Sequence, residues 1–434
     1  MAQTATIDTA AASNAAARNQ VADSAILKTR LRRATARSRR NAFLLTAPLL
    51  LVLSVTFIIP ILDMLFRSID DPVVGRALAR TPEVLADWNA ADGLPPEAAY
   101  AALVADLAGL RKGGGDGRAL IGKFATRLNF EQPGVRSVIT KTARKAPKLN
   151  QGPYKDALIK IHKKWGQPEI WAAIQRLSAP YTSVHFLASL DLHYDIEGSI
   201  VAQPEVRQVY ISIWMRTLYV SGLVTLLCVL LGYPVSYLLA TLPKRTSNLL
   251  IIMVLLPFWT SLLVRTTSWI VVLGQNGVLL EVLAWLGLVG DDGRPQLIYN
   301  MTGTIVAMTH ILLPFMILPI YSVMRGVSPT YMRAARSLGA TPALAFYRVY
   351  LPQTIPGVGA GGILVFILAM GYYITPALVG GQDGTLISNF IAFHMTKSLN
   401  WGFAAALGAI MLAGVLGLYW LYDRVVGISN MKLG

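Results

Sequence analysis

Cysteine is almost missing from this chain of 434 residues, with Cys228 standing alone. An intramolecular disulfide and a thiolate metal cluster are therefore both excluded. Charge is scarce as well. Charged residues make up 14% and hydrophobic residues 54%, a balance that a soluble domain of this length does not carry. Acids are the rarer sign, 23 against 39 basic residues, for a formal net charge of +16. In a soluble chain that excess would suggest nucleic acid. Here the basic residues gather at the N-terminus, in loops and in one polar stretch, where anionic lipid headgroups and positive-inside orientation account for them. No nucleic-acid partner is expected.

Signals of chemistry are lacking too. No G-x-x-x-x-G-K-[ST] occurs, and Gly113-Gly114-Gly115-Asp116-Gly117-Arg118 has neither the lysine nor the following hydroxyl that would cradle a phosphate. His162, His185 and His193 show no metal-ligand spacing and read as solvated or hydrogen-bonded side chains. Paired carboxylates and a nucleophile elbow are absent, which weighs against a membrane-bound enzyme, so no catalytic residue and no metal ligand is assigned. A self-contained ion-coupled carrier or channel is the rival reading. It would need intramembrane coupling groups, and Asp63 and His310 are the main candidates. Asp63 reads as reaching the interface, and His310 as a hydrogen-bonded packing histidine.

What is abundant is long apolar sequence. Six runs reach the ~20 residues that a helix needs to cross the hydrocarbon: Phe43 to Phe66, Ile211 to Leu242, Leu249 to Gly274, Asn300 to Val323, Gly357 to Val379 and Trp401 to Val425. The chain divides accordingly. Residues 1–41 form a basic cytoplasmic tail ending in Lys28, Arg30, Arg32, Arg33, Arg37, Arg39 and Arg40, with the composition of disorder. Residues 42–66 form the first span, which is too long for a signal peptide and lacks a small-residue cleavage exit. Residues 67–208 are polar and mixed in charge, punctuated by Pro95-Pro96, Gly113-Gly114-Gly115, Gln132-Pro133 and Ala179-Pro180. Helical spacing appears there at Glu97 to Leu110, Tyr154 to Trp165 and Glu169 to Leu177. Residues 209–425 hold the other five spans, and 426–434 close the chain.

Loop charge sets the orientation. Pro243-Lys244-Arg245 belongs inside, as do Arg424 and Lys432, whereas the loops carrying Asp291-Asp292 and Gln382-Asp383 belong outside. Both termini are then cytoplasmic and the 67–208 insert is periplasmic. That insert is either an ordinary soluble face or a meeting place for an external binding protein. Glu281 and Asp383 could likewise meet such a protein, or be merely solvated. Pro234, Pro257, Pro314, Pro319 and Pro376, with Gly232 and Gly371, interrupt the spans, and such interruptions are tolerated where helices pack closely or line a wet path.

Between the fourth and fifth spans lies a polar island, residues 324–356, bearing Arg325, Arg333, Arg336 and Arg348. Tyr331 to Leu338 reads as a helix, Gly339-Ala340-Thr341-Pro342 as a break, and Ala343 to Tyr350 as a second short helix before Leu351-Pro352. Ala334-Ala335, Gly339, Phe346, Leu351-Pro352 and Pro356-Gly357 resemble the EAA loop of the membrane subunits of binding-protein-dependent ABC importers. The bland alternative is an amphipathic loop lying on the membrane surface. Arg333 stands where the family motif often has Glu, which puts any ion pair made by that Glu in question.

Two more stretches resemble the spermidine/putrescine permease branch. They are Leu256-Pro257-Phe258-Trp259-Thr260-Ser261, followed by Leu263-Val264-Arg265 and Trp269, and Gly371-Tyr372-Tyr373-Ile374-Thr375-Pro376 up to Gly381. The resemblance, which covers roughly residues 205–425, implies an all-α polytopic protein of the type I ABC importer permease fold; the apolar runs make six transmembrane helices, and the helical spacing in 67–208 makes the insert after the first mainly helical. The resemblance implies a bacterial inner-membrane location and a separate ATPase dimer that grips the loop and carries the ATP and Mg2+. It also implies a second permease subunit, a periplasmic solute-binding protein, and a small polar or cationic organic solute. Tyr372 stands where polyamine permeases often carry an acid, which weakens polyamine as the substrate. Trp259, Tyr372, Tyr373 and Thr375 are candidates for the solute path, against simple packing or interface roles. Arg265 reads as snorkelling to the outer surface, with a gate or helix-end contact as the sharper alternative.

Overall fold

The structure, a computed structural model, describes residues 35, 39–149, 151–290 and 293–426. Most of the tail expected over 1–41, the Asp291-Asp292 pair and the segment after Val426 fall outside the described residues. Two units are distinguished, residues 1–66 and 67–434.

In the first unit, the helix α1 (Arg39–Arg67) is long and apolar enough to cross a membrane. Its register widens into a π turn at Ser54–Ile58, two residues before Pro60. A proline ring collides with the carbonyl four residues back, and one extra residue in the turn moves that carbonyl aside.

The second unit opens with a soluble-type module. Its helices are α2 (Val73–Ala77), α3 (Thr81–Leu85), α4 (Glu97–Lys112), α5 (Gly114–Glu131), α6 (Val135–Lys145), α7 (Tyr154–Ile161), α8 (Pro168–Leu177) and α9 (Val184–Ser189). A two-stranded antiparallel ribbon follows, β1 (Leu192–Tyr194) with β2 (Ile200–Ala202), pairing His193 with Val201. The module has its own core around Tyr100, Phe124, Trp165 and Trp171, all fully buried. The Trp165 carbonyl accepts from the Tyr100 hydroxyl at 3.0 Å and from Trp171 Nε1 at 3.2 Å, and Trp165 Nε1 donates to Thr142 Oγ1 at 2.9 Å. These buried polar tips are thus satisfied from within the core. The run Gly113-Gly114-Gly115 is a tight turn rather than a loop. Gly114 takes φ +75°, and Gly117 lies so close to the Leu110 carbonyl that a Cβ would sit 1.9 Å from it.

The remaining helices form the membrane bundle: α10 (Tyr210–Thr241), α11 (Lys244–Leu255), α12 (Leu262–Leu273), α13 (Val278–Trp285), α14 (Met301–Gly326), α15 (Pro329–Ser337), α16 (Pro342–Gly371), α17 (Ile374–Val379), α18 (Ile387–Thr396) and α19 (Trp401–Val426). Six segments of the described chain have membrane-crossing length and apolarity, matching the all-α six-helix class. At the centre α10, α14 and α16 pack together. Glycine permits the approach: a Cβ on Gly357 would lie 3.0 Å from Val323 Cβ and 3.1 Å from Ile320 Cα. Tyr233 and Thr354 hydroxyls meet at 3.0 Å, and Ser236 donates to the Ile317 carbonyl at 3.1 Å, so buried hydroxyls also join the three helices.

Three boundaries differ from the sequence reading. The third crossing is Leu262–Trp285, with a glycine turn at 274–277, instead of Leu249 to Gly274. The chain tightens at Leu256–Trp259, turns extended at Thr260 and Ser261, and restarts where Ser261 Oγ accepts from Val264 N–H at 3.1 Å. The fifth crossing ends at Gly371, and Tyr372-Tyr373 separate it from α17. Finally, Ala343 to Tyr350 is not a separate short helix. It runs on through Leu351-Pro352 into the membrane, and a π turn at Phe346–Tyr350 again precedes the proline by two residues.

Candidate functional site

Two regions carry the candidate residues. In the first, α15 starts at Ser328, whose Oγ accepts from the Thr330 N–H at 3.3 Å, with Pro329 in the first turn. It ends at Gly339, whose φ of +90° suits glycine and reverses the chain. Thr341 Oγ1 then accepts from Leu344 N–H at 3.3 Å and starts α16, with Pro342 in its first turn.

The candidates sort into two groups. Arg333, Ala334 and Gly339 are exposed, next to Arg336, Leu338, Tyr347 and Arg348. Leu338 is 89% exposed and Tyr347 65%, so large apolar side chains stand open beside three guanidinium groups. The second group holds the loop to the bundle. Phe346 stacks on Tyr350 at 5.6 Å and meets Tyr237 edge-on at 5.6 Å. Gly357 is pressed against α14, while Ala335, Leu351 and Pro356 are half-buried and Pro352 is exposed.

The second region surrounds the breaks in the third and fifth crossings. Arg265 is not a snorkelling side chain. Its guanidinium lies 5.8 Å over the Phe258 ring and within electrostatic reach of His310 and Tyr372, turned into the bundle. Phe258 in turn meets Phe315 of α14 edge-on at 4.9 Å, and Trp269 donates through Nε1 to His310 Nδ1 at 3.2 Å. Among the described residues Arg265 has no acidic partner, and its Nε makes no hydrogen bond.

Of the four residues proposed for a path, Tyr372 borders this cluster and Tyr373 is 47% exposed. Trp259 is 77% exposed. Thr375 is fully buried, with its Oγ1 3.2 Å from Thr266 Oγ1, so it fastens α17 to α12 and does not face open space. The break at Tyr372-Tyr373 leaves carbonyls outside any helix, and α18 supplies their donors: Ser388 Oγ to Tyr372 at 2.6 Å and Asn389 Nδ2 to Tyr373 at 2.9 Å. Ser388, Asn389 and Phe315 were not singled out from the sequence, and Phe258 only as part of the stretch Leu256 to Ser261. Ser388 and Asn389 sit 16 residues from the carbonyls they cap, and no spacing rule links them.

Residues 229–426 match the family described as binding-protein-dependent transport system inner membrane component. The spermidine/putrescine transport system permease protein PotB of Salmonella typhimurium (strain SL1344) is 36% identical over 225 residues, covering 52% of this chain and 77% of that protein. The inner membrane ABC transporter permease protein YdcU of Escherichia coli (strain K12) is 31% identical over 226 residues, covering 50% of this chain and 72% of that protein. A solved bacterial alginate ABC transporter, in complex with an alginate pentasaccharide-bound periplasmic protein, aligns with a TM-score of 0.45 at 18% identity. The alignment covers 52% of this chain and 81% of that one.

Proposed function

This chain belongs to the binding-protein-dependent transport system inner membrane components, and from that membership we propose that it forms the translocation path for a small polar or cationic organic solute, polyamine-like or related. The family makes it a multi-pass inner-membrane permease subunit of an ABC transporter, with no chemistry of its own. In the proposed cycle a periplasmic binding protein delivers the solute and a second permease subunit completes the path. A separate ATPase dimer, carrying ATP and Mg2+, grips residues 324–356.

One observation carries the coupling reading. The helix α16 is continuous from the loop, where Phe346 anchors it, to the break at Tyr372-Tyr373 beside Arg265. A rigid element that joins two sites transmits displacement between them. Closure of the ATPase would push α15 and the start of α16, and the movement would reach the unwound residues Tyr372-Tyr373. The exposed Leu338 and Tyr347, in a segment that also exposes Arg333, Arg336 and Arg348, suit a groove with apolar floor and acidic rim.

The test is co-purification from native membranes, wild type against Gly339→Pro, with an ATPase assay on what accompanies the chain. Proline cannot adopt φ +90°, so the turn is lost. The expected result is an ATPase bound to wild type and lost or uncoupled in the variant. Wild type purified alone and still moving solute down an ion gradient would overturn the importer reading.

A second reading of the solute rests on Arg265. A guanidinium with no acidic partner beside the fifth-span break repels a polycation and attracts a carboxylate or phosphonate. A solute bearing such a group fits this environment better than spermidine does.

A further inference from the structure

Where the insert meets the ends of α10, α18 and α19 there is a cavity of about 230 Å3, room for roughly eight waters at about 30 Å3 each. One wall is aromatic: Tyr210 packs edge-on against Phe403 at 5.0 Å, and its hydroxyl lies 3.0 Å from His394 Nε2. Charged residues line it as well, Arg127, Glu131 and Arg176, with Asp71 behind them. Arg127 Nε donates to Asp71, and both side chains are under a tenth exposed. Glu131 then stands between Arg127 and Arg176, with nearest approaches of 3.6 and 3.8 Å. Those distances are ion pairs without hydrogen bonds.

Five buried polar atoms on residues of this cavity have no hydrogen-bond partner among the described residues: Arg127 Nη2, Arg176 Nε, Glu131 Oε1, His193 Nδ1 and Gln203 Oε1. The neighbouring charge is already used. The Asp191 carboxylate accepts from the N–H groups of Val209, Tyr210 and Ile211 at 2.8 to 3.1 Å, closing the start of α10. What remains is two guanidinium N–H donors with a carboxylate oxygen between them at ion-pair distance, and an amide oxygen on Gln203. Buried groups of this kind lose stability when unpaired, so a ligand that reaches them binds groups that are already desolvated. Burial holds the Glu131 carboxyl above its ordinary range, outweighing Arg127 and Arg176, so its charged form is poorly solvated where it stands.

We propose that this cavity binds a small zwitterionic organic molecule, its carboxylate on Arg127 and Arg176, its ammonium on Glu131 and Gln203, and its methylenes against Tyr210 and Phe403. A lone anion would displace Glu131 without compensating it, and a lone cation would face both arginines. Occupancy would tie the insert to the ends of the second and sixth crossings, because both contribute walls.

The test is calorimetric titration of the full chain in lipid nanodiscs with glycine and γ-aminobutyrate, and with butyrate and butylamine as single-charge controls. The expected result is that at least one zwitterion binds about tenfold or more tightly than either control. Arg176→Gln and Gln203→Leu should each weaken it by about tenfold. Gln203→Leu preserves side-chain volume, so it serves if Arg176→Gln fails to fold. Neither zwitterion binding more tightly than its controls would overturn the proposal, as would unchanged binding in a variant that keeps the wild-type melting temperature.

Discussion

His185 is the residue whose surroundings translate most directly into a measurable property. It is buried, 3.9 Å from Asp71, with the Phe403 ring centred 6.3 Å away. Burial first, then Arg127, pull its imidazole down to about 4, and Asp71 opposes them only partly. A histidine whose folded pKa is depressed contributes stability that is present above its unfolded value near 6.5 and is lost as pH falls toward 4. Between pH 7 and 5 that loss amounts to about 2 kcal/mol. Glu131, raised by burial, acts in the opposite sense, so the informative quantity is the difference from a variant. His185→Gln should flatten the fall in unfolding temperature between pH 7 and 5, followed by tryptophan fluorescence from the insert core, whereas an unchanged slope would remove His185 as its source. Arg265 permits a second test at this scale. Losing one charge-assisted hydrogen bond is worth roughly 1.5–3 kcal/mol. If the solute is anionic, Arg265→Gln should raise KM for uptake of a carboxylate-bearing solute by about tenfold or more, and leave spermidine uptake unchanged or improved.

Among the elements, the approach of α14 to α16 is the most constrained. Alanine at Gly357 would press its Cβ on Ile320 Cα, the Pro319 carbonyl and Val323 Cβ at 3.0 to 3.1 Å, mostly backbone that cannot rotate away. Overpacking of this kind costs about 1–3 kcal/mol. Gly357→Ala should lower the melting temperature in detergent by several degrees. Gly222→Ala on α10, with nothing within 4 Å of the added carbon, should leave it unchanged or raise it. The number of crossings was legible in the sequence, because apolar length alone reports it. Their breaks were not, because a run such as Leu249 to Gly274 stays apolar through Pro257-Phe258-Trp259, where the helix in fact tightens and stops. The helix α6 shows an oversight of another kind. Val135, Val138, Ile139, Thr142 and Ala143 are all buried at helical spacing, yet the preceding Gln132-Pro133 marks the stretch as punctuation. The helix α5 is hidden by its glycine-rich start. The cluster of Phe258, Arg265, His310 and Tyr372 draws on three separated segments. No spacing within one segment could have assembled it.

For the whole molecule, orientation is the property on which the coupling proposal depends. The charges of Lys244, Arg245, Arg333, Arg336 and Arg348 favour the cytoplasmic side for residues 324–356, and the coupling proposal requires that side. The same proposal puts the insert in the periplasm, where long loops escape the charge bias. The scarcity of cysteine makes this directly measurable. Cys228 is buried, and its Sγ lies 3.5 Å from the Thr309 carbonyl, so the native chain offers a thiol reagent nothing. Ser137 on α6 and Ser337 at the end of α15 are both exposed. In spheroplasts, Ser137→Cys should react at once with a membrane-impermeant maleimide, and Ser337→Cys only after permeabilisation. The reverse pattern would place α15 and its arginines outside, beyond the reach of any ATPase, and the coupling proposal would fail with the orientation. Labelling of Ser337→Cys that disappears when the ATPase is bound would join the two claims, since the residue would be inside and covered.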